Sequence, residues 1–178
     1  MFTGSYLHLA GGVLFTALLV AGCITDLRTR KIPNELVVAI LVTGLLFAFA
    51  SPSVGRALGM SLAGIAVGFA IWIPFYLLGV IGAGDVKFFA AAAAWLGADL
   101  TWRAALIAAV SGGLLAIVYL VSEKRLGTAL RQLALGASAR SLAVVTGAPH
   151  AGAKRRPLPY GVALAIGALV VAWAPQLP

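Results

Sequence analysis

Charge is scarce in this 178-residue chain: 10% of the residues are Asp, Glu, Lys or Arg, and only five of them are acidic. Soluble domains carry about 25% charged residues, so an ordinary water-soluble enzyme is excluded. Cysteine is nearly absent. Cys23 stands alone, which rules out an internal disulfide or a cysteine-built zinc site, and its apolar surroundings predict simple packing. Histidine is limited to His8 and His150, with no H-E-x-x-H string to hold zinc. The N-terminus lacks the basic segment that precedes the apolar core of a signal peptide, and no A-x-A site precedes a soluble remainder. The first apolar segment is therefore expected to be retained.

What is abundant is apolar sequence, 62% of the chain with a mean hydropathy of +1.04. Residues 1–25, 36–55, 57–84, 88–98, 104–122 and 157–178 carry no charge. About 20 apolar residues cross a bilayer core of about 30 Å, so five of these runs can span and the fourth is short. The fold class follows: an all-α, polytopic membrane protein with about six transmembrane helices, forming one integral membrane domain over residues 1–178. The expected helices are Tyr6 to Ile24, Leu36 to Ala50, Ala57 to Val80, Val86 to Leu100, Ala104 to Val121 and Leu158 to Ala174. The fourth contains the alanine run Ala90 to Ala94 and is expected inside the bundle; Gly64 and Gly68 of the third have the spacing of a helix contact face, and Pro74 is a candidate kink.

The net charge of +8 would point to nucleic acid in a soluble chain, but here the basic residues separate apolar runs with no aromatic interleaving, and no nucleic-acid partner is expected. With six spans, loops 25–35, 81–87 and 122–157 share one side and hold eleven Lys or Arg, while Arg56 and Arg103 occupy the other. The positive-inside rule makes the basic side cytoplasmic and puts both termini outside. Loop 122–157 reads either as an interfacial amphipathic helix or as a disordered loop in its first part, followed by a basic tether.

The five acids divide by position. Asp99 and Glu123 lie beside helix ends, where capping or solvation accounts for them, and Glu35 suits the N-terminal dipole of the second helix. Asp26 and Asp85 each close a long charge-free run on the predicted cytoplasmic side. Taken singly, Asp85 reads as an N-cap and Asp26 as an ion-pair partner of Arg28 or Arg30. Taken together, two carboxylates at one membrane boundary, in a chain with almost no others, point to a paired site. Gly82 and Gly84, just before Asp85, would allow unusual dihedrals and the close approach of another chain. Two facing carboxyls can hydrolyse an amide without metal, cofactor or covalent intermediate, one taking a proton from water while the other donates to the carbonyl oxygen. Ser111, in VSGG, has no base placed beside it and reads as a packing serine.

Three strings, DLRTRKIPN from Asp26, GAGDVKFFAAAAAWLG from Gly82 and LPYGVALAIGAL from Leu158, resemble the type IV prepilin peptidases, bacterial members of the G-x-G-D intramembrane aspartyl proteases. The resemblance implies that Asp26 and Asp85 form the catalytic dyad, with Gly82, Gly84, Lys87, Pro33 and Asn34 as supporting motif residues. It implies removal of a short basic leader from prepilins or pseudopilins, usually after glycine, at the cytoplasmic face of the bacterial inner membrane, with the lipid bilayer and pilus-assembly machinery as partners. Larger members have a paired-cysteine insertion and also methylate the new terminus; this chain lacks that insertion, so methyl transfer is not expected. Its compact length and LPYG string look like the branch serving Flp or Tad pili, more than an archaeal preflagellin peptidase. Two rival functions stay open on the residues alone: a small carboxylate-dependent transporter, and a non-catalytic pilus-assembly scaffold.

Overall fold

A computed structural model describes residues 6–122 and 160–174, and the regular structure among them is entirely α-helical. The elements are α1 (Tyr6–Thr29), α2 (Asn34–Phe49), α3 (Val54–Leu77), α4 (Ala83–Leu96), α5 (Ala98–Ser122) and α6 (Tyr160–Trp173). Helices α1, α3 and α5 are long and apolar enough to cross a membrane, and α2 and α6 are shorter apolar helices. The outward faces of the long helices expose Val13, Val20, Leu62, Val110, Leu114 and Val118. In water such surface would drive association; in a bilayer it is the solvated surface.

Helix α4 is the axis of the bundle. It packs against α2, α3, α5 and α6, and every residue from Phe88 to Leu96 is buried, as its alanine run predicts. Small residues let neighbours approach it. A Cβ on Gly64 of α3 would fall on the Ala93 carbonyl oxygen, and one on Gly68 would lie 3.2 Å from the Ala90 Cα. The indole Nε1 of Trp95 in α4 donates to the Ile40 carbonyl of α2 at 2.9 Å, and its ring stacks on Phe47.

These pairings fix direction. Gly64 lies beside Ala93 and Gly68 beside Ala90, so α3 and α4 are antiparallel; Gly112 of α5 meets Tyr160 and Ala163 of α6, while Gly167 meets Ala104 and Ala108. The six helices alternate in direction. Arg28, Arg30, Lys31 and Lys87 fall at one end of the bundle, and Arg56 and Arg103 at the other. The amphipathic stretch and tether expected over 122–157, with Glu123 and His150, lie outside the described residues.

Several expected boundaries move. Helix α1 runs five residues beyond the expected Ile24, to Thr29, and carries Asp26 inside it instead of just past its end. It stops where Arg30 takes the left-handed conformation, φ 56°, and Pro33 starts α2 in extended backbone. Helix α4 begins three residues before the expected Val86 and ends at Leu96, where Gly97, at φ 72°, turns the chain directly into α5. Arg103 is therefore within a helix and not in a loop. The physical reason is common to these shifts: loss of hydropathy marks where a chain leaves hydrocarbon, whereas a helix continues until a residue breaks its backbone ladder.

Candidate active site

The site lies where α1, α4 and α6 meet at the basic end. On α1, Gly22 faces α4 so closely that a Cβ there would stand 2.5 Å from Cε2 of Phe88. Asp26 is one turn beyond Gly22 along α1, and Asp85 is one turn before Phe88 along α4. Because the helices run in opposite senses, this contact puts Asp26 and Asp85 level with each other. Their charges interact.

Asp26 is 5% exposed. Its Oδ2 accepts the backbone N–H of Gly161 in the first turn of α6 at 3.0 Å, and the Arg30 charge acts on it from the end of its own helix. The Cys23 thiol, one turn earlier, is directed at the Gly161 carbonyl oxygen at 4.0 Å. Gly161 cannot be larger without disturbing this arrangement, since a Cβ there would stand 2.8 Å from Asp26 Oδ2 and 3.2 Å from Ile32 Cδ1. Beside Gly161, the half-buried Tyr160 rests its ring against Gly112 of α5, and the Asp85 charge acts on its phenol.

Asp85 occupies the first turn of α4 and not its N-cap; Gly82 is the cap, and its N–H donates to Asp85 Oδ2 at 3.2 Å. The carboxyl thus caps its helix through one oxygen while its charge interacts with that of Asp26, so the structural reading and the paired reading of Asp85 are compatible. The expectation of unusual dihedrals at Gly82 and Gly84 is corrected. Gly82 is extended at φ −80°, ψ 153°, Gly84 is helical, and any residue adopts either conformation. What remains is space: a Cβ on Gly84 would meet nothing within 4 Å.

The other motif residues stand further out. Lys87, Pro33 and Asn34 are exposed, and Pro33 supplies the N-cap of α2; it is Ile32 that turns inward to Gly161. His8 is 18 residues before Asp26 on α1, about 27 Å along the helix, and its ring meets Phe47. Ser111 Oγ donates to the carbonyl oxygens of Ala108 and Ala163, which is a packing role. Among the described residues, no three His, Cys, Asp or Glu side chains gather as a metal site would need. Sequence reasoning gave no individual role to Gly22, Phe88, Tyr160 or Gly161. The nearest signal was the LPYG string, which holds Tyr160 and Gly161 but says nothing of what they touch.

The model of the type IV leader peptidase family matches residues 13–117. The chain belongs to this family. The matched stretch holds both aspartates and reaches into α5, so the leader peptidase signature covers the α1–α4 contact and stops before α6. A prepilin leader peptidase/N-methyltransferase of Pectobacterium carotovorum subsp. carotovorum is 30% identical over 116 residues, covering 61% of this chain and 41% of the relative. The chain thus spans about two-fifths of the length of the curated relative it matches. No solved structure gives a significant match.

Proposed function

We propose that this protein is a membrane aspartic endopeptidase that removes the leader peptide from type IV prepilins, with Flp-type prepilins as the favoured substrates, at the cytoplasmic face of the bacterial inner membrane. One observation carries the reading: two aspartates, 59 positions apart in the chain and on different helices, are brought level at one end of an apolar bundle with their charges interacting. Membership of the leader peptidase family supports the substrate class, and the bias of basic residues to that end supports the cytoplasmic placement.

In this mechanism Asp26, with an amide donor and the Arg30 charge in its surroundings, acts as the base, and Asp85 as the acid. Water attacks the scissile carbonyl carbon as Asp26 takes its proton and Asp85 protonates the carbonyl oxygen, giving a tetrahedral diol. Collapse of the diol breaks the C–N bond. Asp26 passes its proton to the departing nitrogen as Asp85 takes one back from the diol, and the products are the leader carboxylic acid and the new pilin amine. The aspartates end with the one shared proton with which they began. No methyl transfer is assigned to this chain.

The test is cleavage of a membrane-inserted prepilin by the purified protein. Asp26→Asn and Asp85→Asn are each expected to abolish leader removal at unchanged abundance, because an amide performs neither proton transfer. Substantial cleavage by either variant removes that residue from the dyad. Failure of the parent protein to cleave any Flp-type or type IV prepilin returns the choice to transporter or scaffold.

A further inference from the structure

Tetrahedral attack places growing negative charge on the carbonyl oxygen at an end of the bundle where Val86, Phe88 and Leu164, each within about one turn of Asp85 or Tyr160, are buried. In such surroundings a second fixed donor is worth far more than it would be in water, because it needs no reorganisation as the charge appears. Tyr160 is a donor of the right kind. Tyr160 is neighbour in sequence to Gly161, whose amide is fixed on Asp26 Oδ2 at 3.0 Å, so the start of its side chain is registered against the dyad. The far part of the ring is set by α5, where a Cβ on Gly112 would stand 3.2 Å from Tyr160 Cε1. Two helices therefore hold the ring in place, and the Asp85 charge acts on its phenol.

We propose that Tyr160 is a further catalytic residue, its phenol O–H donating a hydrogen bond to the scissile carbonyl oxygen beside the Asp85 carboxyl as that oxygen takes up charge. The inference rests on the peptidase reading above. The phenol keeps its proton throughout; the proton that moves to the oxygen comes from Asp85. Gly161 is a positioning residue in this scheme, since its amide orients Asp26 and its backbone places Tyr160. Gly112 is its counterpart on α5, the absence of a side chain leaving the ring its seat.

The experiment uses the full chain in phospholipid nanodiscs with a synthetic substrate, a basic leader ending in glycine joined to an apolar helix. Tyr160→Phe keeps the ring on Gly112 and deletes one oxygen. The expected result is a ten- to hundred-fold fall in kcat with KM within two-fold and an unchanged thermal unfolding midpoint. Cleavage within two-fold of the parent, or a change confined to KM, overturns the proposal. Gly112→Ala gives an independent arm that does not depend on how Tyr160→Phe folds: it should lower kcat by crowding the ring in the parent. Combined with Tyr160→Phe it should add little. Equal losses in both backgrounds would mean that Gly112 acts through packing alone and would overturn the orientation argument. The asparagine variants keep the two readings separate. If Asp26→Asn and Asp85→Asn are inactive and Tyr160→Phe is not impaired, Tyr160 alone loses its role; if an asparagine variant cleaves, it is the dyad that fails.

Discussion

Phe88 of α4 occupies the space that a methyl group on Gly22 of α1 would need, with Cε2 2.5 Å from that position. The contact lies one turn from both Asp26 and Asp85, so it sets the spacing of α1 and α4 at the site.

Gly22→Ala is accordingly expected to push the helices apart. Overpacking of this kind costs about 1–3 kcal/mol, and prepilin cleavage should fall more than ten-fold. Phe88→Leu in the same chain should restore part of the rate by making room. The measurement is initial cleavage rate beside thermal unfolding; a Gly22→Ala protein that cleaves like the parent would show that the spacing is not set here.

Gly84→Ala addresses the opposite case. Its Cβ would project into open space, so the variant should insert and unfold like the parent. If prepilin backbone docks against this turn, KM should rise several-fold with kcat little changed. An unaltered KM places the substrate elsewhere.

Both aspartates were legible in the sequence because charge is so rare: each ends a long apolar run, and runs of that length give their depth. The buried place of α4 was equally legible, since five consecutive alanines make a poor surface for lipid and a good one for helices. Helix ends were not, because hydropathy reports the membrane boundary, whereas Arg30 and Gly97 end helices through local backbone conformation. The parts of the site contributed by Gly22 and Gly161 were hidden for another reason. Their importance lies in Phe88 and Asp26, partners 66 and 135 positions away, and no local pattern encodes a contact of that range.

Cleavage should follow a bell-shaped pH dependence. The dyad needs one proton shared between two interacting carboxyls, so activity is lost at low pH when both are protonated and at high pH when neither is. Rates measured across pH with membrane insertion held constant would test this; a profile with one limb would indicate that a single carboxyl does the chemistry.

Cys23→Ser and His8→Ala are expected to keep cleavage within about three-fold of the parent, the first because a hydroxyl can take the thiol's place at the Gly161 carbonyl and the second because it is remote from the dyad. Loss of activity by either at normal abundance would reopen nucleophilic or metal chemistry.

Substrate choice should depend on shape more than on charge. The end of the bundle that holds the dyad also carries Arg28, Arg30, Lys31 and Lys87, so it repels a basic leader. Neutralising leader lysines in an Flp-type prepilin should change the rate only a few-fold. Replacing the glycine before the cut with a bulky residue should nearly stop it. The reverse order of effects, measured at equal amounts of inserted substrate, would show that leader charge selects the substrate.

The shortness of α4 falls at the end away from the dyad. Fourteen residues of helix rise about 21 Å, against about 30 Å of hydrocarbon around the bundle, while α1 and α3 have 24 residues each. At the basic end α1 has three residues beyond Asp26 and α4 two before Asp85, so the two helices finish together there. At the other end Gly64 of α3 stands beside Ala93, with ten residues of α3 beyond that level and only three of α4. The bundle is therefore hollowed on the face opposite the aspartates, and the aspartates themselves stand within about one turn of their helix ends, so water for hydrolysis has only about 5 Å of helix to pass from the compartment that the basic end faces.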